Sequence, residues 1–184
     1  MTVANLLTLS RVLLTFLFML FLFKGHFASR CLALFVFLIA TMTDLYDGKI
    51  ARRKGEVSDF GKLMDPLADK ILILSAFLAF VQLQLVPAWM VILILARELL
   101  ITGMRLLALS KGVVLAAGRG GKHKTVTQMV AILWILVVLL MKEKVPLAPY
   151  WNDSIFFVMV FAVFVTVSSG ILYLYRNRSL FYAK

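Results

Sequence analysis

Six long apolar runs, parted by short charged or turn-forming stretches, take up most of this 184-residue chain. They cover residues 6–23, 31–51, 60–82, 87–110, 125–141 and 154–175. Crossing the hydrocarbon of a bilayer as a helix takes about 20 apolar residues. No water is present there to satisfy backbone N–H and C=O groups, so runs of this length are expected to be helical throughout. The expected fold is therefore all-α: a polytopic membrane protein with six transmembrane helices, forming one domain over residues 1–184. Composition agrees, at 62% hydrophobic with a mean hydropathy of +0.97, where soluble domains are about half apolar. The first run has neither a basic segment before it nor a small-residue cleavage site after it, so it is expected to stay in the membrane.

The net charge is +11. Basic residues placed between long apolar runs point to anionic lipid surfaces and exclude a nucleic-acid partner. Alternate connections and the C-terminal tail carry twelve Lys and Arg residues, from Lys49 to Lys184. The remaining connections carry four: Lys24, Arg30, Lys142 and Lys144. The positive-inside rule then puts both termini, and the ends of the second and fourth runs, in the cytoplasm. Cys31 is the lone cysteine, which rules out an internal disulfide or a cysteine-based metal cluster.

Four carboxylates interrupt the pattern. Asp44, Asp47 and Gly48 are followed by Ala51 and Arg52; after eight further residues come Gly61, Asp65 and Asp69. At about 100° per residue, Asp44 and Asp47 lie about 60° apart on one helix face, and Asp65 and Asp69 about 40° apart on the next helix. The chain reverses between the pairs, so all four acids reach the cytoplasmic interface. Charges at membrane depth are costly unless they meet each other or a counter-charge. Hard divalent cations with oxygen ligands supply that counter-charge, and two of them can hold a diphosphate and offset charge on a phosphoryl group in transfer. Gly48, Gly61 and the small Ala51 leave room for a nucleotide near the backbone, and Arg52 is placed to meet phosphate. A plainer reading makes Asp65 a helix N-cap ahead of Pro66; a third helix beginning near Phe60 would instead carry Pro66 inside it.

This arrangement resembles the signature of the CDP-alcohol phosphatidyltransferase family, D-x-x-D-G-x-x-A-R, eight residues, G-x-x-x-D-x-x-x-D, at every specified position. The resemblance implies the family's six-helix fold, a homodimer, and a CDP-linked lipid donor such as CDP-diacylglycerol. It implies that Asp44, Asp47, Asp65 and Asp69 hold two Mg²⁺ or Mn²⁺ ions, with Asp69 also taking the proton of the attacking alcohol. Gly48, Ala51, Arg52 and Gly61 would line the CDP site. Residues Asn5, Leu7, Thr8 and Arg11 resemble the family's P-N-x-L-T-x-x-R, with Ala4 in place of proline, and would bring Asn5 and Thr8 to the nucleotide. Anchoring at the interface, with Arg11 snorkelling, is the alternative for that patch.

The acceptor has to be read elsewhere. Arg97, Glu98, Thr102, Gly103 and Arg105 resemble the R-E-x-x-x-T-G-x-R stretch of phosphatidylglycerophosphate synthases, and Gly121, Lys122, Lys124, Thr125, Gln128 and Met129 their G-K-x-K-T-x-x-Q-M. That resemblance implies glycerol 3-phosphate as acceptor, held by Arg105, Lys122, Lys124 and Thr125. Charge supports it: Lys122 and Lys124 sit where a fifth helix starts, and helix N-termini favour phosphate. Arg97 and Glu98 lie deep in their run, where an internal ion pair competes with substrate contact. Trp89, Trp134, Trp151, Tyr173 and Tyr175 read as interface anchors. The rival functions are transfer to another alcohol (inositol phosphate, serine or a lipid alcohol) and divalent-cation transport. Transport requires polar groups continuing across the third run, yet 71–80 is almost wholly apolar.

Overall fold

In a computed structural model the chain is described over residues 3–54, 59–110, 120–145 and 150–178, with side chains over 9–43, 70–110, 123–145 and 150–178. The described residues form six α-helices and no strand: α1 (Val3–Phe23), α2 (Phe27–Lys54), α3 (Asp59–Gln82), α4 (Ala88–Ser110), α5 (Gly120–Lys144) and α6 (Tyr150–Arg176). Each apolar run holds one helix. The helices overrun the runs mainly at polar ends. Thus α5 starts at Gly120 rather than near residue 125, and its first turns hold Lys122 and Lys124.

The chain divides into two compact units, one made of Met1–Ala79 with Ile135–Ala148, the other of Phe80–Trp134 with Pro149–Lys184. In the first unit α1 packs on α2. Phe18 and Leu22, one turn apart, are buried, while Leu13, Phe16 and Leu20 on the other side of α1 are exposed. Phe18 meets Phe37 with ring centroids 5.6 Å apart, and the buried Ala33 and Ala40 flank Phe37 and let the helices approach. The sharp turn between them needs Gly25, whose φ is +76°. The His26 carbonyl then accepts the Arg30 N–H at 2.9 Å and the Ser29 hydroxyl at 2.7 Å. Arg30 pairs with Glu143, and the Lys144 ammonium lies 5.3 Å from the Phe27 ring centroid. The start of α2 and the end of α5 are thus at the same end of this unit.

In the second unit α4 packs on α6. Met90, Ile94 and Ile101 of α4 and Ile155, Met159 and Ala162 of α6 are buried. The first turn after α3 is a Schellman cap: the Leu85 N–H bonds the Phe80 carbonyl at 2.9 Å and the Gln84 N–H the Val81 carbonyl at 2.9 Å. Gln84 takes the left-handed position at φ 57°, which costs a residue with a Cβ about 1 kcal/mol. Gln84→Gly is therefore expected to raise the thermal midpoint by about 2–4 °C, measured in detergent; a lower midpoint would contradict this account of the turn.

The outer faces are apolar. Phe157, Phe161 and Phe164 form an i, i+4, i+7 stripe on α6 with exposures of 69%, 61% and 68%, and Leu99 and Leu100 of α4 are 65% and 61% exposed. Phenyl rings in such a row call for lipid rather than water. Over their described residues, two helices, His123–Lys144 and Tyr150–Arg176, are long and apolar enough to cross a membrane. Trp89 and Tyr175 are exposed at helix ends, and Arg178 stacks on Tyr175, 4.6 Å from its ring centroid, as residues at a membrane surface do.

Candidate active site

The four aspartates divide between two helices. Asp44 and Asp47 lie in the last part of α2, and Asp65 and Asp69 in the first part of α3. Four residues, 55–58, join these helices, a length typical of antiparallel neighbours. At 1.5 Å per residue, Asp47 is about 10 Å from the end of α2 and Asp65 about 9 Å from the start of α3; Asp44 and Asp69 are each about 15 Å in. The two pairs are therefore matched in depth along their helices. Because α3 begins at Asp59, Asp65 stands in its second turn and is not an N-cap. Pro66 lies inside the helix and supplies no N–H to the turn it closes.

The side chains of Asp44, Asp47, Gly48, Ala51, Arg52, Gly61, Asp65, Asp69, Asn5, Thr8 and Lys122 lie outside the described ones. Their backbone places Asn5 and Thr8 in the first turns of α1, Gly48, Ala51 and Arg52 in the last two turns of α2, and Gly61 in the first turn of α3. Arg52, Arg53 and Lys54 end α2, where cations complement the carbonyl end of a helix. Four carboxylates with a Gly and an Ala beside them are a fitting donor set for hard divalent cations. Among the described residues no three His, Cys, Asp or Glu side chains come together.

The predicted acceptor residues fall in the second unit, and side chains are described for Arg105, Lys124 and Thr125. Glu98 of α4 is 6% exposed and pairs with Lys124 of α5, itself 8% exposed. Arg97 Nη1 donates to Glu98 Oε1 at 3.1 Å, and Arg97 Nη2 to Ser169 Oγ of α6 at 3.2 Å. The internal ion-pair reading of Arg97 and Glu98 is thus the observed one, and Lys124 joins it. Glu98 orients the Lys124 ammonium, which carries three hydrogens. Arg105 is exposed two turns further along α4. Its Nε donates to Tyr173 Oη of α6 at 3.3 Å, and its guanidinium carbon lies 5.4 Å from the Tyr173 ring centroid. Thr125 is half-buried in the second turn of α5. Gln128, one turn on, donates to Thr166 of α6 at 3.0 Å, both fully or nearly buried. A shallow hollow on α4 is lined by Ala96, Leu99, Leu100, Gly103, Met104 and Leu107 and includes none of these polar residues.

Sequence reasoning missed what α6 contributes. It took Tyr173 for an interface anchor and passed over Ser169 and Gly170. The signal was present: Thr166, Ser169, Gly170 and Tyr173 share one face of an otherwise apolar helix, and polar or small residues at that spacing mark a contact with other helices.

The comparisons accord with this arrangement. The family model described as CDP-alcohol phosphatidyltransferase matches residues 1–168. A Bacillus subtilis protein named CDP-diacylglycerol–glycerol-3-phosphate 3-phosphatidyltransferase is 42% identical over 153 residues, covering 83% of this chain and 75% of that protein. A Mycobacterium tuberculosis protein named "Probable phosphatidylglycerophosphate synthase" is 40% identical over 177 residues, covering 94% and 80%. A Rickettsia typhi protein with the same name as the Bacillus one is 33% identical over 178 residues, covering 96% and 97%. The chain belongs to the CDP-alcohol phosphatidyltransferase family.

Proposed function

We propose that this protein transfers the phosphatidyl group of CDP-diacylglycerol to glycerol 3-phosphate, giving phosphatidylglycerophosphate and CMP. The observation that carries this reading is the complete signature, split between the last turns of α2 and the first turns of α3. The names of relatives that align over most of their length support the choice of donor and acceptor.

In the proposed reaction Asp44, Asp47, Asp65 and Asp69 hold two divalent cations, Mg²⁺ or Mn²⁺. Such ions, when bound, offset the charge of the diphosphate and of the phosphoryl group in transfer. Asn5, Thr8, Gly48, Ala51, Arg52 and Gly61 receive the CDP moiety. Arg105, Lys122, Lys124 and Thr125 hold the acceptor's phosphate. Asp69 takes the proton from the acceptor hydroxyl, whose oxygen forms a bond to the β-phosphorus; the bond from that phosphorus to the CMP oxygen breaks, and CMP leaves. A lipid donor explains a membrane site, because the acyl chains stay in the bilayer while the diphosphate reaches the acids.

The same proposal includes six transmembrane helices in a single domain over residues 1–184, both termini and the site facing the cytoplasm, and a homodimer. The charge bias between alternate connections supports the orientation, and the exposed apolar faces of α1, α4 and α6 support lipid on more than the two most apolar helices. The test is incorporation of labelled glycerol 3-phosphate into a chloroform-soluble product by purified protein. Incorporation that requires CDP-diacylglycerol is expected; label that stays in the aqueous phase while another alcohol is incorporated would reject the acceptor.

Arg105→Ala removes an exposed cation with a fixed partner. It is expected to raise the KM for glycerol 3-phosphate by about tenfold or more, the loss of one charge-assisted contact, with little change in the KM for CDP-diacylglycerol. A shift confined to the lipid donor would move Arg105 out of the acceptor site.

A further inference from the structure

We propose that one face of α6, carrying Ser169, Gly170 and Tyr173, is the positioning element of the acceptor site: it presets Arg105 directly, and Lys124 through Arg97 and Glu98, so that the acceptor's phosphate meets cations already in place. The inference rests on the glycerol 3-phosphate reading above. These three residues follow the last position matched by the family model, residue 168, and none of them belongs to the signature.

Three contacts carry it. Gly170 lies against the stem of Arg97: a Cβ there would sit 2.8 Å from Arg97 Cγ and 3.4 Å from Nε. Only glycine lets the arginine lie along the α6 backbone, and Cγ, close to the main chain, has little freedom to retreat. Ser169 next takes Arg97 Nη2 at 3.2 Å, while Nη1 goes to Glu98 at 3.1 Å and Glu98 pairs with Lys124. The position of Lys124 is thereby tied to α6 through two side chains. One turn on, Tyr173 engages Arg105 twice, by its hydroxyl at 3.3 Å and by its ring face at 5.4 Å.

The geometry suits phosphate capture. Arginine has about 2 kcal/mol of rotamer entropy to lose, and an exposed guanidinium at a helix end would otherwise bear that cost when the anion arrives. Tyr173 uses Nε, the inner nitrogen, so it does not engage the two terminal nitrogens that form the fork for phosphate oxygens. Contacts on α4 and α6 advance in the same direction, Arg97 with 169–170 and Arg105 with 173, so the helices run parallel and a single face serves both arginines. Orienting cations before the ligand binds raises affinity by cutting the ordering cost.

The test is a double-mutant cycle on purified full-length protein, with CMP release read at varied glycerol 3-phosphate. Tyr173→Phe keeps the ring and removes the hydroxyl. It is expected to raise the acceptor KM about three- to tenfold, with kcat and the CDP-diacylglycerol KM within about twofold. In an Arg105→Ala background the same change is expected to add nothing, because Tyr173 acts through Arg105. Gly170→Ala is expected to raise the acceptor KM by at least as much through Arg97, again with kcat nearly unchanged. An unchanged acceptor KM in both variants, or an undiminished Tyr173→Phe effect without Arg105, overturns the proposal. Wild-type protein that uses another alcohol and not glycerol 3-phosphate overturns the acceptor reading itself, and the inference with it.

Discussion

Replacing any one of Asp44, Asp47, Asp65 or Asp69 by Asn is expected to cut CMP release by at least about a thousandfold, or ~4 kcal/mol of transition-state stabilisation. The size follows from the roles proposed for them. Each acid is both a metal ligand and one of four negative charges that make the metals bind, so a neutral isostere weakens the whole set. The four variants should not be alike in detail. Asp69 is proposed to take the acceptor's proton as well, so Asp69→Asn should retain more Mn²⁺ binding than Asp44→Asn while losing as much turnover. Titration of Mn²⁺ into each variant, followed by electron paramagnetic resonance, separates the two losses. Equal loss of metal affinity at 44 and 69 would remove the distinct role of Asp69, and turnover that persisted in any of the four would remove that acid from the mechanism.

The second large effect is expected in stability. Glu98 is the carboxylate shared by Arg97 and Lys124, and the three side chains are 7–10% exposed. Removing one partner of a buried ion pair costs about 3–5 kcal/mol, because it strands charge that water can no longer solvate. Glu98→Ala strands two cations and opens space as well. It is expected to lower the thermal midpoint in detergent by about 10 °C and to impair acceptor use. Neutralising the whole cluster is different, since a buried ionic triad replaced by apolar groups of similar volume is often as stable as the original. The triple variant Arg97→Met, Glu98→Leu, Lys124→Met should therefore recover most of the midpoint while its acceptor KM stays high. Recovery of both would show that the cluster serves the fold alone; recovery of neither would show that its hydrogen bonds, not its charge balance, hold α4, α5 and α6 in place.

Much of this was legible in the sequence because lipid leaves the backbone one choice. Runs of about 20 apolar residues are helices in a bilayer, and all six were found where the apolar runs lie. Boundaries were harder to read. Hydropathy ends where charge begins, but a helix does not: α5 starts five residues earlier than its apolar run, and Lys124 in that stretch pairs with Glu98. The signature acids were legible for a similar reason, since carboxylates among apolar residues have few explanations. What the sequence did not disclose was pairing between helices. Lys124 reads equally well as a phosphate ligand or as the partner of Glu98 until the two helices are seen together, and Tyr173 reads as an interface anchor until Arg105 is found on its ring. Such contacts depend on which faces of α4, α5 and α6 meet, and a single sequence carries only a weak trace of that.

The proposed function stands on the pairing of donor and acceptor. CMP release should be measured from purified, folded protein in detergent with CDP-diacylglycerol and Mg²⁺, comparing glycerol 3-phosphate with serine, inositol phosphate and no acceptor. Release with glycerol 3-phosphate alone is expected, lost in Asp69→Asn. Release with a different alcohol would contradict the acceptor assignment, and no release with any of them would contradict the reaction.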